Sequence, residues 1–217
     1  MVQGYLGHAS IQMTLDVLNE YNTHKHILDK YLRIYQVVEN YMYKAQICDF
    51  CERVGYSKIS VRDFKAMSDR LANTEVESLN KFLAESGDIN ISGTPLKERL
   101  NENWNNIIQS NADMKNAVEN LVKKLNIRNS KGTELIKITT GTVEDSLRIF
   151  GRLVYSVRCS VVHNKVNEYH ITYTNLDDDT KNVMERFLMP CMEMVVYGLM
   201  MNENSVVMYT QQSINLY

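Results

Sequence analysis

The longest amphipathic pattern in the chain covers residues 26 to 53, and it limits the fold more than any other feature. Apolar side chains recur there at the three- and four-residue spacing that places them on one face of a helix. The members of this face are Leu28, Tyr31, Leu32, Tyr35, Val38, Met42, Ala45 and Cys48, and Ile27, Ile34, Val37 and Tyr41 widen it. The pattern predicts one long core helix and a fold built mainly from helices.

Further helical patterns follow in the first two thirds of the chain. The predicted segments are Val61 to Leu71, Glu75 to Ala84, Leu96 to Ile107 and Ala112 to Leu125, separated by turns rich in glycine, proline, serine and asparagine. Within them, residues 98 to 106 are polar almost all round. This composition predicts that the middle of the chain lies on the surface or forms an insert.

The last third of the chain begins with a helix-start signal. Thr142 is followed three residues later by Asp145, the spacing of a capping box, and an apolar face continues from there toward Arg158. Asp177 is predicted to cap a second helix that runs to about Met201. Pro190 should kink this helix, because proline removes a backbone donor in its interior.

Two short segments near the C-terminus alternate apolar and polar residues, as half-buried strands do. They span residues 168 to 174 and 205 to 210. The predicted fold class is therefore all-α, a helical bundle with a small two-stranded β element near its C-terminus.

Composition excludes several classes of protein. A chain of 217 residues with 44% hydrophobic and 23% charged residues is typical of one globular domain. Its net charge of −2 supplies no general basic field, so any contact with nucleic acid must be local. No signal peptide and no apolar run of about 20 residues is present, which predicts a cytoplasmic protein without a membrane partner.

The four cysteines of the chain predict neither a disulfide scaffold nor a metal site. Cys48 and Cys51 form a CxxC pair, but the pair falls inside the long helical pattern and no second pair stands at metal-ligand spacing. Both residues are interpreted as small buried hydrophobes. No metal and no cofactor is predicted.

Arg158 and His163 are the candidate catalytic residues, in an otherwise apolar segment with four residues between them. A permanently charged guanidinium and an imidazole that titrates near neutrality can cleave a phosphodiester without metal. His163 would act as base or acid, and Arg158 would stabilise the charge on phosphate. Asn164 and Lys165 follow directly and are the candidate substrate-binding residues.

A purely structural role for these residues stays open. An arginine near the end of an amphipathic helix often binds the last carbonyls or an acidic neighbour, and a histidine beside valines is often structural. His170 lies in the strand-like alternation and is interpreted as structural or exposed. Because residues five apart on a helix differ by about 140° around its axis, Arg158 and His163 would not share one face of an ideal helix.

The segment from Arg158 to Tyr173, and its R-x4-H spacing above all, resembles the HEPN superfamily of small helical proteins. The resemblance implies that residues 21 to 217 form a HEPN-like domain with metal-independent endoribonuclease activity, of the toxin or phage-defence type. It also implies an RNA substrate, a homodimer in which two such motifs face each other across a groove, and an antitoxin partner if the protein is a toxin. Cys159 stands where the family often has asparagine, and many members are inactive interaction modules, which is the main alternative.

A second resemblance covers residues 1 to 20. The run from Gly4 to Val17 is similar to the last motif of tyrosine recombinases, the phage integrases, but Leu18 occupies the position of their nucleophilic tyrosine. These residues are interpreted as a recombinase-like C-terminal fragment or a fusion scar, and a recombinase-derived DNA-binding remnant is a further alternative. The spacing of Ile11, Leu15 and Leu18 predicts an amphipathic helix that can dock on the main body.

Overall fold

A computed structural model describes residues 5–54, 74–129, 131–139, 141–162, 169–202 and 204–207, with side chains from residue 12 to residue 50 in the first range. The helices in these ranges are α1 (Tyr5–Thr23), α2 (Ile27–Val54), α3 (Glu75–Ser86), α4 (Leu96–Asn103), α5 (Ala112–Lys124), α6 (Val143–Val162), α7 (Asp178–Val183) and α8 (Met189–Met201). Two π-helical segments, Trp104–Gln109 and Met184–Leu188, extend α4 and join α7 to α8. Strands β1 (Asn90–Ile91) and β2 (Thr94–Pro95) form an antiparallel hairpin.

The predicted helical fold with a small two-stranded β element is confirmed. Helix α2 covers the long pattern almost residue for residue, and it packs against α1, α3, α6 and α8. Its buried face includes Tyr31, Ile34 and Met42, each with at most 1% of its surface exposed. The segment predicted as a helix from Val61 to Leu71 lies outside the described residues.

The small β element lies at a different position from the one predicted. The hairpin joins Ile91 to Thr94 in the middle of the chain, whereas residues 169–177 form a loop with a turn and residues 205–207 form another turn. In that loop, backbone N–H groups donate hydrogen bonds to side chains. Ser160 Oγ accepts from Ile171 N at 3.1 Å, and Asn175 Oδ1 accepts from Thr172 N at 2.8 Å. Such local bonds compete with a strand ladder.

The prediction that the middle of the chain lies on the surface was wrong. Leu96, Leu100, Trp104 and Ile108 are all buried, and Trp104 is only 1% exposed. The Trp104 ring meets Phe187 edge to face, with 5.5 Å between the ring centroids. The polar residues between these four lie on the solvent side. The buried residues are spaced four apart, and the second half of this stripe lies in a π-helical segment with i→i+5 hydrogen bonds.

Pro190 does not end the last helix. It lies in the first turn of α8, directly after the π-helical segment Met184–Leu188. Proline has no N–H to give to the carbonyl four residues earlier, and its ring crowds that carbonyl. The wider turn before Pro190 accommodates both effects, so the predicted irregularity takes the form of a π-helical segment.

Both predicted helix starts are confirmed by their caps. Thr142 Oγ1 accepts from Asp145 N at 3.1 Å at the start of α6. Asp177 Oδ1 accepts from Thr180 N at 3.0 Å at the start of α7, and its other oxygen lies 2.7 Å from Lys124 Nζ of α5. Asp177 therefore caps the start of α7 and links this helix to α5.

Replacing Asp177 by alanine is expected to lower the free energy of unfolding by about 1 kcal/mol, the usual cost of losing an N-cap. Burial raises the pKa of Asp177, but the bonds from Lys124 and Thr180 outweigh this and hold the pKa below its usual value. A carboxylate with a lowered folded pKa stabilises the protein above the unfolded pKa and loses this effect as pH falls. The difference between wild type and D177A should therefore shrink in urea titrations as pH drops below about 4.

Asp177→Asn is the matched control, because asparagine caps a helix about as well as aspartate but cannot pair with Lys124 as an ion. Its stability should fall between those of wild type and D177A at neutral pH and should change less with pH. A D177A deficit that stays constant down to acid pH would contradict the role assigned to the ionised cap.

Gly151 allows close packing of α6 on α3. A β-carbon at this position would collide with Asn80 Oδ1 and would lie 3.0 Å from Leu83 Cδ1. The Asn80 oxygen is buried and has no hydrogen-bond partner among the described residues. The contact is therefore steric, and a smaller residue at position 80 would relieve it.

Gly151→Ala is expected to destabilise the protein, because overpacking costs about 1–3 kcal/mol and exceeds the gain in helix propensity. In the double variant Asn80→Ala/Gly151→Ala, stability should return at least to the level of Asn80→Ala alone. Equilibrium unfolding of all four proteins forms a double-mutant cycle. Additive effects would show that the two side chains do not compete for one space.

The N-terminal helix packs on the main body. Val17 and Leu18 of α1 are buried, the Tyr21 hydroxyl donates to Glu193 of α8, and Leu15 is 39% exposed. The side chain of Ile11 lies outside the described part. Helix α1 continues through residue 20, so the domain boundary placed there stays a prediction. No helix in the described ranges is both long and apolar enough to cross a membrane.

Candidate functional site

Arg158 lies in the last two turns of α6 and reaches two carboxylates on other helices. Its Nη2 is 3.5 Å from Glu39 Oε1 of α2, and its Nη1 is 3.6 Å from Glu75 Oε2 of α3. The guanidinium carbon lies 5.5 Å from the centre of the Tyr35 ring, within the range of a cation–π contact. We call Tyr35, Glu39, Glu75 and Arg158 the Arg158 cluster.

Local structure explains how the cluster assembles. Tyr35 and Glu39 are four residues apart on α2 and so lie on the same side of that helix. Glu75 is the first residue of α3, where an acidic side chain is favoured by the helix dipole, and Thr74 with Glu77 forms a capping box there. The Tyr35 hydroxyl donates to Glu75 Oε1 at 2.7 Å, which joins α2 to α3 beside the arginine.

The cluster raises the pKa of an arginine that would be charged in any case. Burial lowers the pKa of Arg158, but Glu75 and Tyr35, and also Glu39, raise it, and the net change is upward. Burial raises the pKa of Glu39, and repulsion from Glu75 adds to this despite the opposing effect of Arg158. Burial and the bond to Glu75 raise the pKa of Tyr35 as well. Tyr35 therefore acts as a neutral donor, and Glu39 is the carboxylate that protonates more readily than an exposed one.

Other groups of α6 border the cluster. Cys159 is half-buried. The pKa of Tyr155 is raised mainly by burial and to a smaller extent by a hydrogen bond with Cys159. On the buried side, Tyr31 donates its hydroxyl proton to the carbonyl of Val154 at 2.7 Å. This bond joins α6 to α2 one turn before Arg158.

The remaining candidates follow Arg158 closely in the sequence. His163, Asn164 and Lys165 lie outside the described residues, so their grouping with Arg158 stays a prediction. Helix α6 ends at Val162, whose side chain is 47% exposed. The arginine is only 18% exposed along its side chain, but its helix continues from the cluster to an exposed end.

Glu39, Glu75 and Tyr35 are the site residues that sequence reasoning missed. Glu39 is the acidic residue next to the apolar stripe of α2, and Glu75 begins a helix, which are ordinary positions for acidic residues. An arginine on an apolar helix face does require a partner. Nothing in a single sequence indicates which distant carboxylate supplies it.

His170 lies in the loop whose backbone bonds to Ser160 of α6. The backbone around it bonds to Ser160 through Tyr169 O and Ile171 N, and its Nε2 is buried without a partner among the described residues. Its half-buried position agrees with the structural interpretation. Cys48 is buried, as expected for a small hydrophobe, and the side chain of Cys51 lies outside the described part.

The arrangement can present one fixed positive charge to a phosphate, provided that the phosphate competes with two carboxylates. In the described part of the chain, no group of three or more His, Cys, Asp or Glu side chains could hold a metal ion. Comparison of the chain with protein-family models, with curated proteins and with solved structures found no match.

Proposed function

We propose that this protein is a metal-independent endoribonuclease of the toxin or phage-defence type, acting as a homodimer. Arg158 binds the scissile phosphate, and His163 transfers protons as base or acid. Asn164 and Lys165 contact phosphate or sugar. The homodimer would place two such motifs across one groove, and a toxin of this kind would have an antitoxin partner.

The observation that supports the proposal most is the fixed, charged state of Arg158. Ion pairs to α2 and α3 hold its guanidinium, and its side chain stays 18% exposed. A charged group that is oriented before the substrate arrives can stabilise a transition state without the cost of reorganisation. Arg158 also lies just before the end of α6, from which the chain leads directly to His163.

The proposed reaction is a transesterification. A base takes the proton from the ribose 2′-hydroxyl, and the 2′-oxygen attacks phosphorus to form a phosphorane. The bond from phosphorus to the 5′-oxygen breaks, and that oxygen takes a proton from an acid. The products are a 2′,3′-cyclic phosphate and a 5′-hydroxyl, so the step consumes neither water nor an oxidant.

Incubation of the purified protein with single-stranded RNA in the presence of a chelator tests this function. Cleavage with 2′,3′-cyclic phosphate ends is expected. Cleavage that depends on added magnesium, or products with 3′-hydroxyl ends, would contradict the proposal.

The second candidate is a catalytically silent HEPN-type interaction module. It is favoured by the two carboxylates that pair with Arg158, since an arginine whose charge is balanced in this way joins three helices without any ligand. In this case RNA would stay intact, Arg158→Ala would destabilise the fold, and a protein partner would copurify from the native cell. Melting temperature and RNA cleavage measured on the same variants separate the two candidates.

A further inference from the structure

Tyr43 is an exposed aromatic residue at the edge of the Arg158 cluster. It lies on α2, four residues after Glu39 and eight after Tyr35, and 45% of its surface is exposed. Residues four apart on a helix lie on nearly the same side and are separated by about 6 Å along the axis. Tyr35, Glu39 and Tyr43 therefore form one row on α2, from the buried ring beneath Arg158 to an open ring at the surface.

Electrostatic effects on Tyr43 agree with this placement. Burial raises the pKa of its hydroxyl, the carboxylates of Glu39 and Glu75 raise it further, and Arg158 lowers it. The placement of Tyr43 one turn after Glu39 on α2 accounts for this influence of the cluster on its pKa. A single exposed aromatic ring is ordinary on a protein surface. This one is set apart by its place one helical turn from Glu39, the carboxylate that pairs with Arg158.

An open aromatic ring near an arginine that is proposed to bind phosphate suits one kind of ligand. Proteins that bind single-stranded RNA stack unpaired bases on aromatic side chains, whereas the bases of a duplex are already stacked on one another. The chain has a net charge of −2, and two carboxylates belong to the cluster. Affinity for RNA must then come from stacking and from a few directed bonds, because general attraction to the backbone is weak here.

We infer that the Tyr43 ring is a stacking platform for an unpaired base of an RNA strand whose phosphate is bound at Arg158. This inference rests on the proposed function and narrows its substrate class to RNA with unpaired bases, in single strands or loops. Tyr43 would contact the substrate directly, but it would take no part in proton transfer.

Binding is measured without cleavage in the His163→Ala background, by fluorescence anisotropy of a short fluorescein-labelled single-stranded RNA of mixed sequence. Loss of one base stack costs about 1–3 kcal/mol, so Tyr43→Ala should weaken binding by about 5- to 150-fold. Tyr43→Phe, which keeps the ring, should bind within about twofold of its parent. An otherwise identical duplex RNA should bind weakly and should not respond to either substitution.

Tyr197→Ala is the matched control. This tyrosine has a similar exposure of 38%, and it lies on α8, which contributes no residue to the Arg158 cluster. Its replacement should leave RNA binding unchanged. Equal losses for Tyr43→Ala and Tyr197→Ala, an unchanged affinity for Tyr43→Ala, or loss of binding in Tyr43→Phe would overturn the platform.

Two results separate the platform from the nuclease. If the wild type cleaves RNA, and Tyr43→Ala binds as well as its His163→Ala parent and cleaves as well as the wild type when His163 is present, the stacking role of Tyr43 is wrong and the proposed nuclease stands. If binding depends on the Tyr43 ring but the wild type cleaves no RNA, the proposed nuclease activity is wrong and the stacking role of Tyr43 stands. Failure of every form of the protein to bind single-stranded RNA would overturn the platform too.

Discussion

His163→Ala is expected to lower the rate of RNA cleavage by about 10² or more, since general acid–base catalysis commonly contributes about 10²–10⁴-fold. Arg158→Lys should lose nearly as much activity, because lysine keeps the positive charge but lacks the planar fork that can bind two phosphate oxygens. The rates are measured on one single-stranded RNA in chelator, at saturating and at limiting concentrations of substrate. Cleavage that survives both substitutions at the wild-type rate would exclude the proposed mechanism.

Arg158 requires its own stability control, because its guanidinium also contacts Glu39 and Glu75. Melting temperatures of Arg158→Lys and wild type show whether a lost rate reflects lost chemistry or a loosened contact between helices. Cys159→Asn is the matched neighbour, and it introduces the polar group that HEPN ribonucleases often have after the arginine. It should preserve or raise the activity. A lower rate at an unchanged melting temperature would show that the Cys159 thiol has a role of its own.

Trp104→Ala is expected to reduce the free energy of unfolding by about 3–5 kcal/mol, the usual cost of removing a large aromatic side chain from a core. Trp104 is 1% exposed, and it meets Phe187, which in turn meets Phe150 with 5.9 Å between ring centroids. Because the whole domain is held by a free energy of about 5–15 kcal/mol, a loss of this size should leave little folded protein at elevated temperature. Urea unfolding followed by circular dichroism measures the effect.

The neighbouring residue provides the control. Asn105 is exposed, so Asn105→Ala should change the stability by less than about 0.5 kcal/mol. Trp104→Phe keeps an aromatic ring in the same place and removes an indole nitrogen that has no partner among the described residues. It should cost less than Trp104→Ala. A small effect of Trp104→Ala would show instead that residues 98–106 lie outside the core, as their polar composition suggests.

The helices and their beginnings could be predicted from local sequence. The apolar spacing between Leu28 and Cys48 determines which face of α2 is buried, because only one face of a helix can meet a single core. The caps at Thr142 and Asp177 act through bonds to residues three positions away, so their whole mechanism is contained in four residues. These features depend on interactions between residues that are close in sequence, so the sequence pattern is enough to predict them.

Long-range packing decided the rest. Residues 98 to 106 appear exposed in sequence, yet Trp104 is buried because Phe187, far along the chain, lies beside it. The strand-like alternation after residue 168 becomes a loop because Ser160 and Asn175 bond its backbone. The pairing of Arg158 with His163 as catalytic residues comes from the sequence and stays a prediction. Only the tertiary structure showed that Glu39 and Glu75 hold the arginine, since a charge selects its partners by distance in space, and neither carboxylate is near it in sequence.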